Sequence, residues 1–209
     1  MKLLIFGASG ATGTELVKQG LKQGHMVTAF VRTPSKLTIK NDHLTIVQGN
    51  VKDHAAVENA IKEQDAVISA LGVSRPLKKD PVVIEGIKNI LSAMEKLSVR
   101  RLVYLSFIAV GTGRSDAGFM IKNLISKIVH NEIEDHEEKE RLIKDSQTDW
   151  TIIHPPKLTN AAAKGIYRTG EAIKATSLLP TLSRADLAGF MLAQLIDGNF
   201  IRKTVRIMY

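Results

Sequence analysis

The chain of 209 residues contains no cysteine. That absence excludes a disulfide framework, a thiolate metal site, an iron–sulfur cluster and a cysteine nucleophile. Aromatic residues are scarce, at 5% of the chain with a single Trp, too few for the basic–aromatic surface on which single-stranded nucleic acid stacks. Long apolar runs are missing as well. Leu102 to Gly111 is about the most apolar stretch, and Ser106 interrupts it, well short of the roughly 18–20 residues of a membrane-spanning helix. The opening run ends at Phe6 and passes into a Gly/Ser/Thr turn, so it reads as a strand rather than a signal segment. A soluble, cytoplasmic protein without membrane attachment is expected, with nucleic acid disfavoured as a partner.

What is present is ordinary globular composition, 44% apolar and 24% charged, in a length that suits one domain with its own core. The 29 Lys+Arg against 21 Asp+Glu leave a formal charge of +8, which favours anionic partners. Asn131–Ser146 holds seven acids against three bases, a local −4 that leaves +12 on the remainder.

Short β-type runs alternate with helix-period segments along the chain, the pattern of a parallel sheet covered by helices. Lys2–Phe6, Met26–Val31, Leu44–Val47, Ala66–Ser69, Leu102–Leu105 and Thr151–Ile153 read as strands, and Thr204–Met208 closes the series. Leu16, Val17 and Leu21 form one helical face; Val57, Ala60 and Ile61 a second; Val83, Ile84, Ile87, Ile90, Leu91 and Met94 a third, after Pro81 near the helix start. Ala117–Val129 carries a further helical stripe, and Ser183-Arg184-Ala185-Asp186 resembles a capping box with Asp in place of Glu. The expected architecture is α/β: a Rossmann-type doubly wound, mostly parallel sheet of order 3-2-1-4-5-6 plus a C-terminal strand, with helices on both faces. Residues 1–209 read as one domain, of which about 155–209 form a small substrate-side portion.

The sharpest signal is Gly7-Ala8-Ser9-Gly10-Ala11-Thr12-Gly13, between the first strand and a helix beginning near Thr12. In a βαβ unit, Gly7 permits the tight turn, Gly10 lets the backbone approach a pyrophosphate, and Gly13 lets helix and sheet pack closely. The helix directs its free N–H groups at the phosphates. A mononucleotide P-loop is excluded, because no Gly-Lys-Ser/Thr occurs. After the second strand, where an acid would accept the ribose 2′-OH of NAD, the chain reads Val31-Arg32-Thr33-Pro34-Ser35-Lys36. Arg32 and Lys36 there favour a 2′-phosphate, hence NADP(H) over NAD(H). Asn50 and Val51 after the third strand, with Ala70, Leu71 and Gly72 after the fourth, complete the expected cofactor crevice at the carboxyl edge of the sheet. Asp53 is expected to cap the following helix. Among the turns assigned to that edge, Arg32, Lys36, Lys52, Arg75, Lys78, Lys79, Arg114 and Lys157 outnumber Asp53, Asp80 and Asp116.

Given these residues, together with Gln64-Asp65-Ala66-Val67-Ile68, Glu85-Gly86-Ile87-Lys88-Asn89-Ile90, Asp135-His136, Pro155-Pro156 and Asp186 to Leu192, the chain resembles an atypical short-chain dehydrogenase/reductase of the NAD(P)H-binding, NmrA-like group. Within that group it is most like the NADPH-dependent flavin reductases/biliverdin-IXβ reductases. The superfamily's Tyr-x-x-x-Lys pair is absent: four residues after Tyr104 and Tyr167 stand Ile108 and Glu171. Where the pair is expected, the chain reads His136-Glu137-Glu138-Lys139-Glu140. Alcohol dehydrogenation and sugar-nucleotide epimerisation are therefore disfavoured. The resemblance implies hydride transfer from NADPH to a planar conjugated acceptor, anionic or aromatic, such as a flavin, quinone or tetrapyrrole. It assigns the catalytic position to Ser106, which also borders the cofactor, and the nicotinamide border to Pro155, Pro156, Lys157 and Leu158. The two residues at the serine position are both hydroxylated in those reductases, whereas this chain has Ser106-Phe107. The NmrA-like branch also implies an alternative, a non-enzymatic NADP(H)-binding redox sensor. A monomer or homodimer is expected. His136 and Glu140 lie one turn apart, but the acids around them suggest a solvated face, no second His pair supports them, and no metal site is assigned. A serine hydrolase lacks its Gly-x-Ser-x-Gly elbow.

Overall fold

The first strand, β1 (Lys2–Phe6), shows why the sheet carries two cores. Leu3 and Ile5 enter one apolar cluster and Leu4 and Phe6 the other, all four fully buried. A strand buried on both faces is a continuous apolar run, the signature of a parallel sheet covered on both sides. The computed structural model describes residues 1–72, 81–107, 130–177 and 179–209. In it β1 pairs in parallel with β2 (Met26–Val31) and β4 (Ala66–Ser69). Outside β2 lies β3 (Leu44–Gln48), and beyond β4 lie β5 (Arg101–Leu105) and β6 (Asp149–His154). The order is therefore β3-β2-β1-β4-β5-β6, the Rossmann-type arrangement expected from the sequence.

The helices divide between the two faces. Leu16 and Val17 of α1 (Ala11–Lys22) pack on the Leu3/Ile5 side. The opposite side is covered by α2 (His54–Ile61), α3 (Pro81–Lys96) and α4 (His130–Asp145), through Val57 and Ile61, Ile87 and Ile90, and Ile143. Burying each such side chain is worth about 1.5–3 kcal/mol. Asp53 caps α2 by accepting the Ala56 N–H at 3.1 Å, and Pro81 opens α3. The expected stripe at Ala117–Val129 lies outside the described residues. No helix among the described residues is long and apolar enough to cross a membrane.

The C-terminal portion adds elements the periodicity does not reveal. β7 (Lys157–Thr159), β8 (Arg168–Gly170) and β9 (Thr181–Ser183) have three residues each, too few to display a period. β7 and β9 make a separate two-stranded parallel sheet. The expected closing strand is β10 (Lys203–Met208), which pairs in parallel with β6, and β8 closes that edge antiparallel to β10.

One carboxylate ties this portion together. α5 (Arg184–Ala193) packs beside α1 on the Leu3/Ile5 side of the sheet. Its N-cap Ser183 accepts the Asp186 N–H at 3.0 Å and donates to Asp186 Oδ2 at 2.8 Å. In an ordinary capping box the acid would accept the N-cap amide directly. Here Tyr209 relays the bond: its hydroxyl accepts the Ser183 N–H at 3.1 Å and donates to Asp186 Oδ2 at 2.6 Å. Asp186 also accepts the Lys164 and Gly165 N–H groups at 2.8 and 2.9 Å. Burial pushes the Asp186 carboxyl up, but the bonds from Tyr209, Lys164, Gly165 and Ser183 outweigh it and hold the pKa below its ordinary 3.8.

Asp186→Ala strands these donors, and urea denaturation at neutral pH should show a loss of about 3 kcal/mol. Because the folded carboxyl is the stronger acid, its contribution is complete above 3.8 and is lost as the pH falls through the lower folded value. The difference between wild type and variant should therefore shrink in that acid range, and a gap that widens on acidification contradicts the assignment.

Candidate active site

The parallel strands end on one edge of the sheet, and their exits meet. Gly7 after β1, Arg32 after β2, Gly49 after β3, Ala70 after β4 and Ser106 after β5 all line one cleft of about 660 Å³. Open α/β sheets bind ligands at this carboxyl edge, beside the strand where the order reverses.

The β1–α1 turn forms one wall. Gly7 has φ +75°, and a Cβ there would stand 2.8 Å from the Ala70 carbonyl carbon. A Cβ on Gly13 would stand 2.7 Å from Ala8 Cα. Glycine at both positions lets α1 begin directly over the turn. Gly10 is the N-cap and offers no side chain to the helix, and the first turn carries no acid. Thr14 N–H bonds back to Gly10 O at 2.8 Å, the first bond of the helical ladder, so the Ala11, Thr12 and Gly13 amides have no intrahelical acceptor. This uncapped positive end, with Ser9, Gly10, Ala11 and Thr12 on the cleft wall, is chemically suited to an anion.

Charge in the cleft has one sign. Arg32, Lys36 and Arg184 line it, and no Asp or Glu does so among the described residues. Arg32 and Lys36 are exposed and make no ion pair with a described residue. Arg184, at the start of α5, donates to Asn160 Oδ1 at 2.8 Å. Phe30 packs 5.0 Å from Phe6, centroid to centroid, and its ring occupies the space a side chain on Gly49 would need.

At the β5 side lies a buried polar cluster. Glu140 is 1% exposed, and its Oε1 accepts from Ser106 Oγ at 2.5 Å and contacts His154 Nε2 at 2.6 Å. Its Oε2 accepts from Lys144 Nζ at 3.0 Å. Burial pushes the Glu140 pKa up, but His154, Ser106 and Lys144 together overcome it and bring it down to about 2. His136 Nδ1 stands 3.4 Å from Ser106 Oγ. Burial, aided by the charge of Lys139, brings the His136 pKa down to about 3, so at neutral pH the ring is neutral beside an ionised Glu140. The reading of this stretch as a solvated face is thereby corrected: His136, Lys139, Glu140 and Ile143, one helical row, are all buried.

Most residues singled out from the sequence meet in the cleft: Gly7, Ser9, Gly10, Ala11, Thr12, Arg32, Lys36, Val51, Ala70, Leu71, Gly72, Ser106 and Leu158 line it. Five do not. Gly13 acts through packing; Asn50 Oδ1 accepts the Lys52 N–H at 3.1 Å in a local turn; Pro155 and Pro156 are buried after β6, and Lys157 is exposed on β7. Of the other bases assigned to the edge, Lys52 pairs with Glu85 at 3.4 Å, while Arg75, Lys78, Lys79 and Arg114 lie outside the described residues, as do Asp80 and Asp116. The lining residues missed in the sequence include Phe30, Phe107, His136 and Arg184. His136 carried a signal, standing where Tyr-x-x-x-Lys was sought, and Arg184 stood within the recognised capping segment.

The NAD(P)H-binding family model matches residues 7–197. A (4-alkanoyl-5-oxo-2,5-dihydrofuran-3-yl)methyl phosphate reductase from Streptomyces griseus subsp. griseus is 29% identical over 153 residues, 73% of this chain and 46% of that protein. The chain spans less than half the length of the first curated relatives it matches. Among solved structures, the anaerobillin reductase ChuY from Escherichia coli O157:H7 superimposes with a TM-score of 0.80 at 18% identity, covering 99% of this chain and 96% of that one. A short-chain dehydrogenase/reductase (wide type) from Veillonella parvula, in complex with NADP, gives 0.80 at 16% identity, covering 99% and 93%. These two likenesses bear on the fold. With the glycine turn, the uncapped helix and the strand order on one edge, and a family match across nearly the whole length, the chain belongs to the NAD(P)H-binding family.

Proposed function

We propose that the protein is an NADPH-dependent reductase whose acceptor is a planar conjugated molecule of the flavin, quinone or tetrapyrrole kind. The observation that carries this reading is the uncapped N-terminus of α1 opening onto a cleft whose described charged residues are all Arg or Lys. The Ala11, Thr12 and Gly13 amides bind the pyrophosphate, and Gly10 keeps its approach clear. Arg32 and Lys36 bind the 2′-phosphate. When bound, NADPH supplies the hydride.

The acceptor end is separated from this phosphate end. Arg32 follows β2 and Ser106 follows β5, three strand steps away, or about 14 Å at ~4.8 Å per step. Leu105, Phe107 and Leu158 give that end an apolar lining, which suits a flat ring system and excludes water from its faces. No lysine stands four residues after a tyrosine to lower a phenol pKa, so the reading favours acceptors for which stacking, rather than a dedicated phenolic acid, organises the reaction. The family resemblance to flavin and biliverdin reductases points the same way.

Titration with NADPH and NADH, followed by absorbance at the nicotinamide band with FMN, a quinone or biliverdin added, tests the reading as a whole. Oxidation of NADPH with at least one acceptor is expected; NADPH binding without turnover of any would replace it with the non-enzymatic sensor. Arg32→Asp should weaken NADPH about 10- to 100-fold more than NADH, from the loss of one charged hydrogen bond, and equal losses would remove the 2′-phosphate role. Gly10→Ala suits the N-cap backbone angles, φ −76° and ψ 167°, but sets its Cβ 3.2 Å from Gly7 O, a tight contact that the turn must relieve by a small shift. The variant should fold, with a slightly lowered thermal midpoint, yet bind either nucleotide about tenfold or more weakly, by roughly 1.4 kcal/mol.

A further inference from the structure

The polar cluster beneath α4 fixes more than the position of Ser106; it fixes the direction of every hydrogen bond up to the cleft wall. Glu140 is ionised and can only accept. Ser106 has one proton and gives it to Glu140 Oε1 at 2.5 Å. Its oxygen can then only accept from the neighbouring ring, so the 3.4 Å contact with His136 Nδ1 places the hydrogen on Nδ1. The ring is neutral, and Nε2 is left as a bare lone pair. No described residue donates to it, and His136 lines the cleft together with Ser106, Phe107 and Leu158. A ligand carrying the matching donor would satisfy that lone pair.

We propose that His136 is a specificity-determining residue: its Nε2 accepts a hydrogen bond from a ring N–H of the bound acceptor, so the site favours planar acceptors with an N–H edge and disfavours those that present only carbonyl oxygens. The inference rests on the reductase reading and narrows it, favouring flavins and tetrapyrroles over simple quinones. A carbonyl oxygen facing Nε2 would set two lone pairs against each other, so the same atom both selects and rejects. The direction comes from the chain Glu140, Ser106, His136, and not from the His136 side chain alone.

The test uses two flavins that differ by one donor. Lumiflavin carries the N3–H; 3-methyllumiflavin does not. Quenching of flavin fluorescence on titration with the NADP⁺-loaded protein reads binding without turnover. Wild type is expected to bind lumiflavin about tenfold more tightly, as one hydrogen bond of ~1.4 kcal/mol predicts. His136→Phe should abolish the difference, and His136→Gln, whose amide oxygen can accept, should restore part of it. Equal affinity of wild type for the two flavins overturns the role of His136, as does discrimination that survives in both variants. Binding of neither flavin while NADPH still binds is a separate result, which overturns the flavin reading and the role of His136 together.

Discussion

The whole arrangement depends on one approach of backbone to backbone. α1 starts over its own turn only because nothing projects from Gly13 toward Ala8, and the turn reaches β4 only because nothing projects from Gly7 toward Ala70. A side chain at either point would push the helix off the sheet or the turn away from β4. The consequences run outward. The N–H groups of α1 face the cleft, Ser9 to Thr12 line it, and Ala70 and Leu71 sit beside them. The closeness of α1 to the sheet and the opening of its uncapped terminus onto the cleft are therefore two results of one packing constraint.

How far the sequence discloses this follows from the physics of each element. Strands buried on both faces are continuous apolar runs, so β1, β2 and β4 are legible with their bounds. Glycines that carry a steric requirement are legible where they fall between a strand and a helix. β7, β8 and β9 are not, because three residues cannot show alternation and their pairing comes from tertiary contact. The capping segment at Ser183 was visible, but not the Tyr209 relay, which joins residues 26 positions apart. Phe107 and Arg184 reach the cleft only through the fold, since nothing in local spacing distinguishes a ring or guanidinium on a wall from one on the surface.

The stretch from His136 to Glu140 shows how composition misleads. Its many acids suggested a solvated face, yet the helix turns one row inward, and His136, Lys139 and Glu140 enter the interior together. Formal charge averages over a helix, whereas burial acts on one stripe of it. The inward row was readable only by counting three and four from Ile143, and the charges on it argued against doing so. The same lesson applies to the surplus of +8. Within the described cleft it resolves to Arg32, Lys36 and Arg184, while Lys52 is engaged with Glu85.

A buried carboxylate is an expensive way to hold a serine. Removing Glu140 from water costs several kcal/mol, which its partners recover only with good geometry, and an apolar cluster of similar volume would be as stable or more so. Stability is therefore a weak explanation for the cluster. Orientation is a better one: a carboxylate that can only accept imposes a single direction on Ser106, and Ser106 on His136. Apolar packing would leave the β5 side of the cleft without a hydrogen-bond donor or acceptor of fixed direction. Charge at Arg32 and Lys36 acts over a distance, whereas the hydrogen-bond chain through Ser106 and His136 acts only on contact. Arg32 and Lys36 stay exposed to solvent, so the desolvation cost is confined to the cluster around Glu140.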